Sequence, residues 1–152
     1  MQVETMADVM EWTRGAHANM ARCLEHCSKA SEHERVKMLL DYLVQHEKTL
    51  ERVLDLSQQD ASRQALNTWC YDYFDKAPVK PHEQCSDDFR DKTANEIITE
   101  VLAMHEKMID LYRYMASRAE VPSTRALMES LLELEEHEAM RLARDTGRMA
   151  DL

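Results

Sequence analysis

Glycine and proline are scarce in this chain, whose 152 residues include 2 Gly and 3 Pro. So few glycines exclude most of the glycine-rich loops that bind nucleotide phosphates, and few positions favour a turn. Aromatic residues make up 6% of the chain, whereas charged residues make up 32%. Together with abundant Leu, Met, Glu, Lys and Arg, this composition predicts a nearly all-helical protein of one domain.

The chain also lacks an excess of basic residues, a long apolar run and a recognisable signal peptide. Its formal net charge is −10, which argues against nucleic acid as a partner because phosphate binding needs a basic surface. No apolar stretch approaches the ~20 residues of a membrane span, and the N-terminal residues have neither a basic nor a continuous apolar region. The 4 cysteines show no disulfide framework. We therefore expect reduced thiols, a cytoplasmic location and no membrane partner.

What the sequence does contain is four apolar stripes with helical spacing. They predict four long helices, over residues 5–30, 31–57, 93–119 and 123–147. Ser31-x-x-Glu34 and Thr93-x-x-Glu96 match the capping boxes that begin helices. Residues 58–92 are expected to form a crossover that contains a short helix. Two short connections and one long one predict an all-α four-helix bundle made of two helical hairpins.

Each of the four stripes carries one histidine, followed three residues later by methionine or threonine. The pairs are His17 and Met20, His46 and Thr49, His105 and Met108, and His137 and Met140. Counted from the short connections, the two histidines of each hairpin lie at the same height to within about one residue. We therefore expect all four imidazoles to share one buried layer.

The two predicted hairpins also resemble each other. The first helix of each carries His-x-x-Met, at His17 and His105. The second helix of each carries His-Glu, at His46 and His137, if the second hairpin contains two or three extra residues. Such a duplication about a pseudo-twofold axis predicts that the four motifs meet in the middle of the bundle.

Clustered imidazoles predict either a metal or haem site or a structural polar layer. Imidazole suits iron, zinc and copper, and the sulfur of Met20 or Met108 as a further ligand would favour Cu(I) or haem iron. The alternative for both methionines is ordinary core packing. Glu47, Glu106 and Glu138 each directly follow a histidine. They are expected to face solvent or a helix seam, or else to bind the metal or orient an imidazole.

This arrangement resembles the ferritin-like superfamily, in particular its rubrerythrin-type di-iron or di-manganese bundles. Those proteins place a glutamate on the first and third helices and Glu-x-x-His on the second and fourth. His46 and His137 stand where the family has histidine, and the segment from His105 to Ala116 is similar to its third helix. The family's glutamate positions hold His17, Leu43, His105 and Leu134. The resemblance implies a ferritin-like fold, and these replacements favour a single ion held by imidazoles over a carboxylate-bridged pair.

Three functions stay open at this point. The first is a metal-binding ferritin-like protein in metal storage, sensing or redox, and the second is a structural or interaction protein with a degenerate di-iron site. The third is a haem-binding bundle. The sequence leaves open whether the protein is an enzyme, since no nucleophile–base pair or hydrolase signature appears. Aromatic residues from Trp69 to Phe74 predict either a cover for the bundle end or a homodimer contact.

Overall fold

The computed structural model describes residues 4–70 and 92–150. Within these ranges the chain is all-α, as predicted. The helices are α1 (Met6–Ala30), α2 (Glu34–Asp60), α3 (Arg63–Leu66), α4 (Ala94–Arg118) and α5 (Pro122–Ala150). The ends of the four long helices differ by at most 3 residues from the predicted ones. Residues 71–91, which include most of the predicted crossover and its aromatic residues after Trp69, lie outside the described residues.

Threonine caps begin α1 and α4. The Thr5 hydroxyl accepts the N–H of Asp8, whose carboxylate in turn accepts the N–H of Thr5. Thr93 accepts the N–H of Glu96, at the predicted cap. The predicted capping box at Ser31 is wrong, because Ser31 is the C-cap of α1 and α2 begins after His33, which makes no side-chain cap hydrogen bond.

The helices pack in two pairs, α1 against α2 and α4 against α5. Two buried apolar clusters hold them together. The first apolar cluster contains Met6, Val9, Met10, Ala16, Leu54, Cys70, Met108, Tyr112, Met115, Ala116, Met128 and Leu131. The second apolar cluster contains Cys23, Leu24, Cys27, Leu39, Leu40, Leu43, Val44, Ile97, Val101 and Leu142. Each fully buried Leu or Met side chain in these clusters contributes about 1.5–3 kcal/mol to stability.

Each long helix contributes to both apolar clusters. α1 and α5 run from the first cluster towards the second, and α2 and α4 run the opposite way. Each helix therefore has a short stretch between the clusters. In α1 this stretch lies between Ala16 and Cys23, and in α4 it lies between Val101 and Met108. Any polar residue that faces inward from these four stretches enters one layer between two apolar regions.

The two helix pairs share the same register. α4 begins and ends 88 residues after α1 (94 − 6 and 118 − 30), and α5 begins 88 residues after α2 (122 − 34). The capping residues Thr5 and Thr93 are also 88 residues apart (93 − 5). The expected two or three extra residues in the second pair are therefore absent, since both short connections contain three residues, 31–33 and 119–121.

The cysteines differ from expectation at one position. Cys23 is disulfide-bonded, so the prediction of reduced thiols throughout is wrong for this residue, whereas Cys27 and Cys70 are buried and not disulfide-bonded. None of the helices in residues 4–70 and 92–150 combines the length and the apolar character needed to cross a bilayer.

Candidate metal centre

Four ionisable side chains, one from each long helix, fill the layer between the two apolar clusters. They are His17 of α1, Glu47 of α2, His105 of α4 and Glu135 of α5. Each of the four is 0% exposed. We call these four residues the His–Glu ring, because their side chains bond to one another in a closed cycle.

Each carboxylate of the ring lies between the two imidazoles. His17 Nδ1 is 2.6 Å from Glu47 Oε2, and His17 Nε2 is 2.6 Å from Glu135 Oε1. His105 Nδ1 is 3.0 Å from Glu135 Oε2, and His105 Nε2 is 2.7 Å from Glu47 Oε1. All four imidazole nitrogens and all four carboxylate oxygens of the His–Glu ring thus have a hydrogen-bond partner within the ring. When both imidazoles are protonated, every N–H donates to a carboxylate.

The carboxylates keep both imidazoles protonated at neutral pH. Burial alone would lower the pKa of His17, but its hydrogen bonds to Glu135 and Glu47 raise that pKa to about 10. Burial acts the same way on His105, and the same two carboxylates raise its pKa to about 9. An imidazolium between two carboxylates is favoured because each N–H faces an opposite charge.

The reciprocal effect keeps both carboxylates ionised. Burial tends to raise the pKa values of Glu47 and Glu135, but hydrogen bonds from His105 and His17 lower both to about 2. Without a metal, the ring therefore carries two positive and two negative charges. This balance allows four charged groups to remain in a layer closed to water.

His46 lies beside the ring on α2. Its imidazole centroid is 5.8 Å from that of His105, and its side chain is 8% exposed. The Nε2 atom is buried and has no hydrogen-bond partner among the described residues. Burial lowers the His46 pKa, and the charges of His105 and His17 act in the same direction against the opposing effects of Glu47 and Glu138. His46 therefore presents a neutral imidazole nitrogen, the form that binds metals.

Among the residues that the structure describes, two sets of three side chains meet the distance requirement of a metal site. One consists of His17, His105 and Glu135, and the other of His46, Glu47 and His105. In each set, one potential ligand atom per residue lies within 4.8 Å of the others. The buried, partner-free Nε2 of His46 fits a group that coordinates a cation, since a buried polar atom normally has a partner. The donor set is imidazole nitrogen and carboxylate oxygen.

Of the nine predicted site residues, four lie together here, one lies at the rim and four lie elsewhere. His17, His105 and Glu47 form the ring, and His46 lies next to it. Glu138 is on the rim, with Oε2 3.8 Å from His46 Nδ1 and an exposed fraction of 18%. The remaining four residues are His137, Glu106, Met20 and Met108. His137 and Glu106 are exposed, Met20 is half-buried against the second apolar cluster, and Met108 belongs to the first.

The prediction that all four histidines share one buried layer is therefore wrong at His137. A helix turns about 100° per residue, so His137 lies about 200° around α5 from Glu135 and faces outward. The buried stripe of α5 contains Met128, Leu131, Glu135 and Leu142, and it does not include His137. The ring accordingly has two histidines and two glutamates.

Glu135 is the residue that sequence reasoning missed. A signal for it exists, because His17 and Glu47 are 30 residues apart and His105 and Glu135 are also 30 residues apart. Matching His46 with His137 required an insertion in the second helix pair. Matching Glu47 with Glu135 requires none, and it places both glutamates at equivalent positions.

Comparisons with known proteins do not place the chain in a family. No protein-family model matches it, and neither characterised proteins nor solved structures gave a match. The resemblance to the ferritin-like superfamily therefore stays a prediction.

Proposed function

We propose that this protein is a metal-binding four-helix bundle whose His–Glu ring holds a divalent transition-metal ion. In this proposal, α1–α2 and α4–α5 are the two hairpins of a ferritin-like arrangement. The single observation that carries the proposal is that each long helix delivers one ligand-type side chain to the same fully buried layer. Metal storage, sensing and redox are all roles that such a site serves.

Binding of a metal ion explains the presence of four ionisable residues in the ring better than a contribution to folding stability does. Replacing a buried ion-pair network by apolar residues of similar volume is often neutral or stabilising. The two apolar clusters would join directly if leucine stood at all four positions, as it does at many neighbouring core positions. Four ionisable groups at this level therefore call for a role that leucine does not fill, and coordination is such a role.

The distances within the ring suit coordination after small side-chain rotations. Adjacent donor atoms are 2.6–3.0 Å apart. Neighbouring ligands of an octahedral ion with bonds of about 2.1 Å lie about 3.0 Å apart. A bound divalent ion would thus take the place of the two protons that make His17 and His105 cationic, so that one centre of positive charge replaces two. Its binding releases protons, because imidazole coordinates only in its neutral form.

The donor types select among the metals. Mixed imidazole and carboxylate ligands suit iron and zinc. Copper(I) prefers thioether or thiolate sulfur, and neither Met20 nor Met108 is part of the ring. We therefore favour Fe²⁺ or Zn²⁺ over Cu(I).

Haem fits the layer poorly. The His17 and His105 centroids are 5.2 Å apart, and the carboxylates of Glu47 and Glu135 bridge the two rings on both sides. A porphyrin plane between the two imidazoles would displace both carboxylates, although axial histidines are otherwise common haem ligands.

The second candidate is a structural protein in which the ring acts without metal. It is favoured by one observation, namely that the charges and hydrogen bonds of the ring are complete among its four residues. In that case the acidic surface, with its formal net charge of −10, would serve a protein partner.

Metal titration of untagged, chelator-treated protein separates the two candidates. We expect wild type to bind at least one equivalent of Zn²⁺ against a chromophoric competitor. Glu135→Gln, which removes a ligand charge at constant shape, should weaken binding at least about tenfold. His137→Gln, on the exposed side of the same helix, serves as the matched control and should bind as wild type does. Absence of stoichiometric binding by folded wild type would favour the structural candidate.

A further inference from the structure

The two otherwise equivalent helix pairs differ at a place beside the ring. Positions 88 residues apart carry His17 and His105, and likewise Glu47 and Glu135. At the same offset, His46 corresponds to Leu134 (134 − 46 = 88), and Glu138 corresponds to Leu50 (138 − 50 = 88).

The two polar members of these unequal pairs contact each other. His46 Nδ1 lies 3.8 Å from Glu138 Oε2, across the seam between α2 and α5. Both of their counterparts are leucine, and Leu50 is 1% exposed. The polar pair is thus present on one side of the ring, and the equivalent positions on the other side are apolar. A layer that served packing alone would not need this difference.

Exposure increases step by step along this seam. The ring residues are 0% exposed, the His46 side chain is 8% exposed and the Glu138 side chain is 18% exposed. Beyond them, the Arg141 side chain is 57% exposed, with Nη1 4.0 Å from Glu138 Oε1. A polar connection therefore leads from the surface to the ring.

His46 has an imidazole nitrogen that is available to hold a metal ion on its way to the ring. Its Nε2 is buried without a hydrogen-bond partner among the described residues, and it belongs to the set of potential ligands formed with Glu47 and His105. On its other side, its ring stacks with Tyr42 at a centroid distance of 6.4 Å. A metal held briefly by this nitrogen would be within reach of two ring residues.

We propose that divalent metal ions reach the His–Glu ring through the α2–α5 seam, with Glu138 attracting the ion and His46 passing it inward. This inference rests on the proposed function. Arg141 lies at the solvent-exposed end of the seam, near both Glu138 and Asp145. Its side chain balances the Glu138 carboxylate when no cation is in transit, and an incoming cation takes its place.

The test is the rate of Co²⁺ uptake, measured by stopped-flow absorbance on metal-free, untagged full-length protein. Glu138→Gln should slow uptake about tenfold, because a carboxylate near the solvent-exposed end of the seam raises the local cation concentration. His46→Gln should slow it by a similar factor. Glu138→Asp, which keeps the charge, should restore most of the rate. Glu106→Gln and His137→Gln are matched controls at exposed positions and should leave the rate unchanged.

Equilibrium binding distinguishes a route from a ligand. The inference requires that Glu138→Gln binds the same number of Co²⁺ ions as wild type, only more slowly. Uptake at the wild-type rate in both variants would overturn the route, and so would loss of the bound equivalent in Glu138→Gln, since Glu138 would then be a ligand of the final site. If wild type binds no Co²⁺, the proposed function itself fails, which is a different result from unchanged rates.

Discussion

Glu47 and Glu135 occupy equivalent positions on α2 and α5, and each carboxylate bridges His17 and His105 through both of its oxygens. This equivalence makes the ring a symmetric unit, in which the four ion pairs of residues His17, Glu47, His105 and Glu135 run from one member to another. The symmetry has consequences for stability, pH dependence and metal binding that can be measured separately.

Breaking the ring at one member should destabilise the metal-free protein strongly. In Glu135→Gln, two buried imidazolium ions face a single carboxylate, and loss of one partner of a buried ion pair costs about 3–5 kcal/mol. Glu47→Gln should have an effect of similar size, because the two glutamates are equivalent. Urea denaturation at pH 6 measures both. A loss below about 1 kcal/mol in either variant would contradict the buried ring.

Replacing the whole ring should have the opposite outcome. Leucine at all four positions (His17→Leu, Glu47→Leu, His105→Leu and Glu135→Leu) joins the two apolar clusters and leaves no buried charge. We expect a metal-free stability equal to wild type or greater by about 1–4 kcal/mol, together with complete loss of Zn²⁺ binding. Urea denaturation and Zn²⁺ titration of the same preparation provide the two readouts. A variant that fails to fold would mean that the ring is needed for the fold.

The stability of the metal-free protein should fall at alkaline pH. The pKa values of His17 and His105 rise from 6.5 to about 10 and about 9 on folding. Their contribution is therefore complete below pH 6.5 and is lost as the pH rises through 9 and 10. The pKa values of Glu47 and Glu135 fall from 4.5 to about 2, so their contribution is complete above pH 4.5 and is lost as the pH falls towards 2.

Denaturation at pH 5.5, 7.5 and 9.5 tests this dependence. The four-leucine variant is the control, since it lacks these groups and reports the titration of the rest of the protein. The free energy of unfolding of wild type should decrease relative to that of this variant as the pH rises. A difference that stays constant, or that moves in favour of wild type, would be inconsistent with imidazolium ions in the ring.

Substitution of exposed residues that lie close to the ring residues in sequence should change stability and Zn²⁺ affinity little. His137→Ala and Glu106→Ala remove side chains that face solvent, and such substitutions usually change stability by less than about 0.5 kcal/mol. Zn²⁺ affinity should also stay within about twofold of wild type, because neither side chain reaches the ring. Thermal denaturation and competitive titration check both statements. A tenfold loss of affinity in His137→Ala would restore that residue to the site.

Periodicity in the sequence was sufficient for the helices and for half of the ring. The apolar stripes of α1 and α4 contain regular steps of three and four, so His17 and His105 could be placed inward with their neighbours. On α2, His46 lies three residues after Leu43 and Glu47 lies four residues after it, and both spacings suit an inward stripe. Periodicity alone therefore does not decide which of these two adjacent polar residues faces inward.

The same ambiguity explains the error on α5. Its polar stretch Glu133 to Glu138 contains five charged or ionisable residues in six positions, and hydrophobicity gives no reason to prefer Glu135. Charge pairing decides the register, since two buried imidazolium ions require two carboxylates. That requirement acts between helices and is invisible in any single stripe. The predicted cap at Ser31 is wrong for a different reason, because Ser31 is the C-cap of α1 and α2 begins only at Glu34.

Anomalous diffraction from crystals of the Zn²⁺-loaded protein tests the central claim most directly. The account predicts a zinc peak in the layer between the two apolar clusters, with bonds of about 2.0–2.2 Å to imidazole nitrogen and carboxylate oxygen of the His–Glu ring. A ring with its four hydrogen bonds intact and no zinc peak beside it would contradict the account.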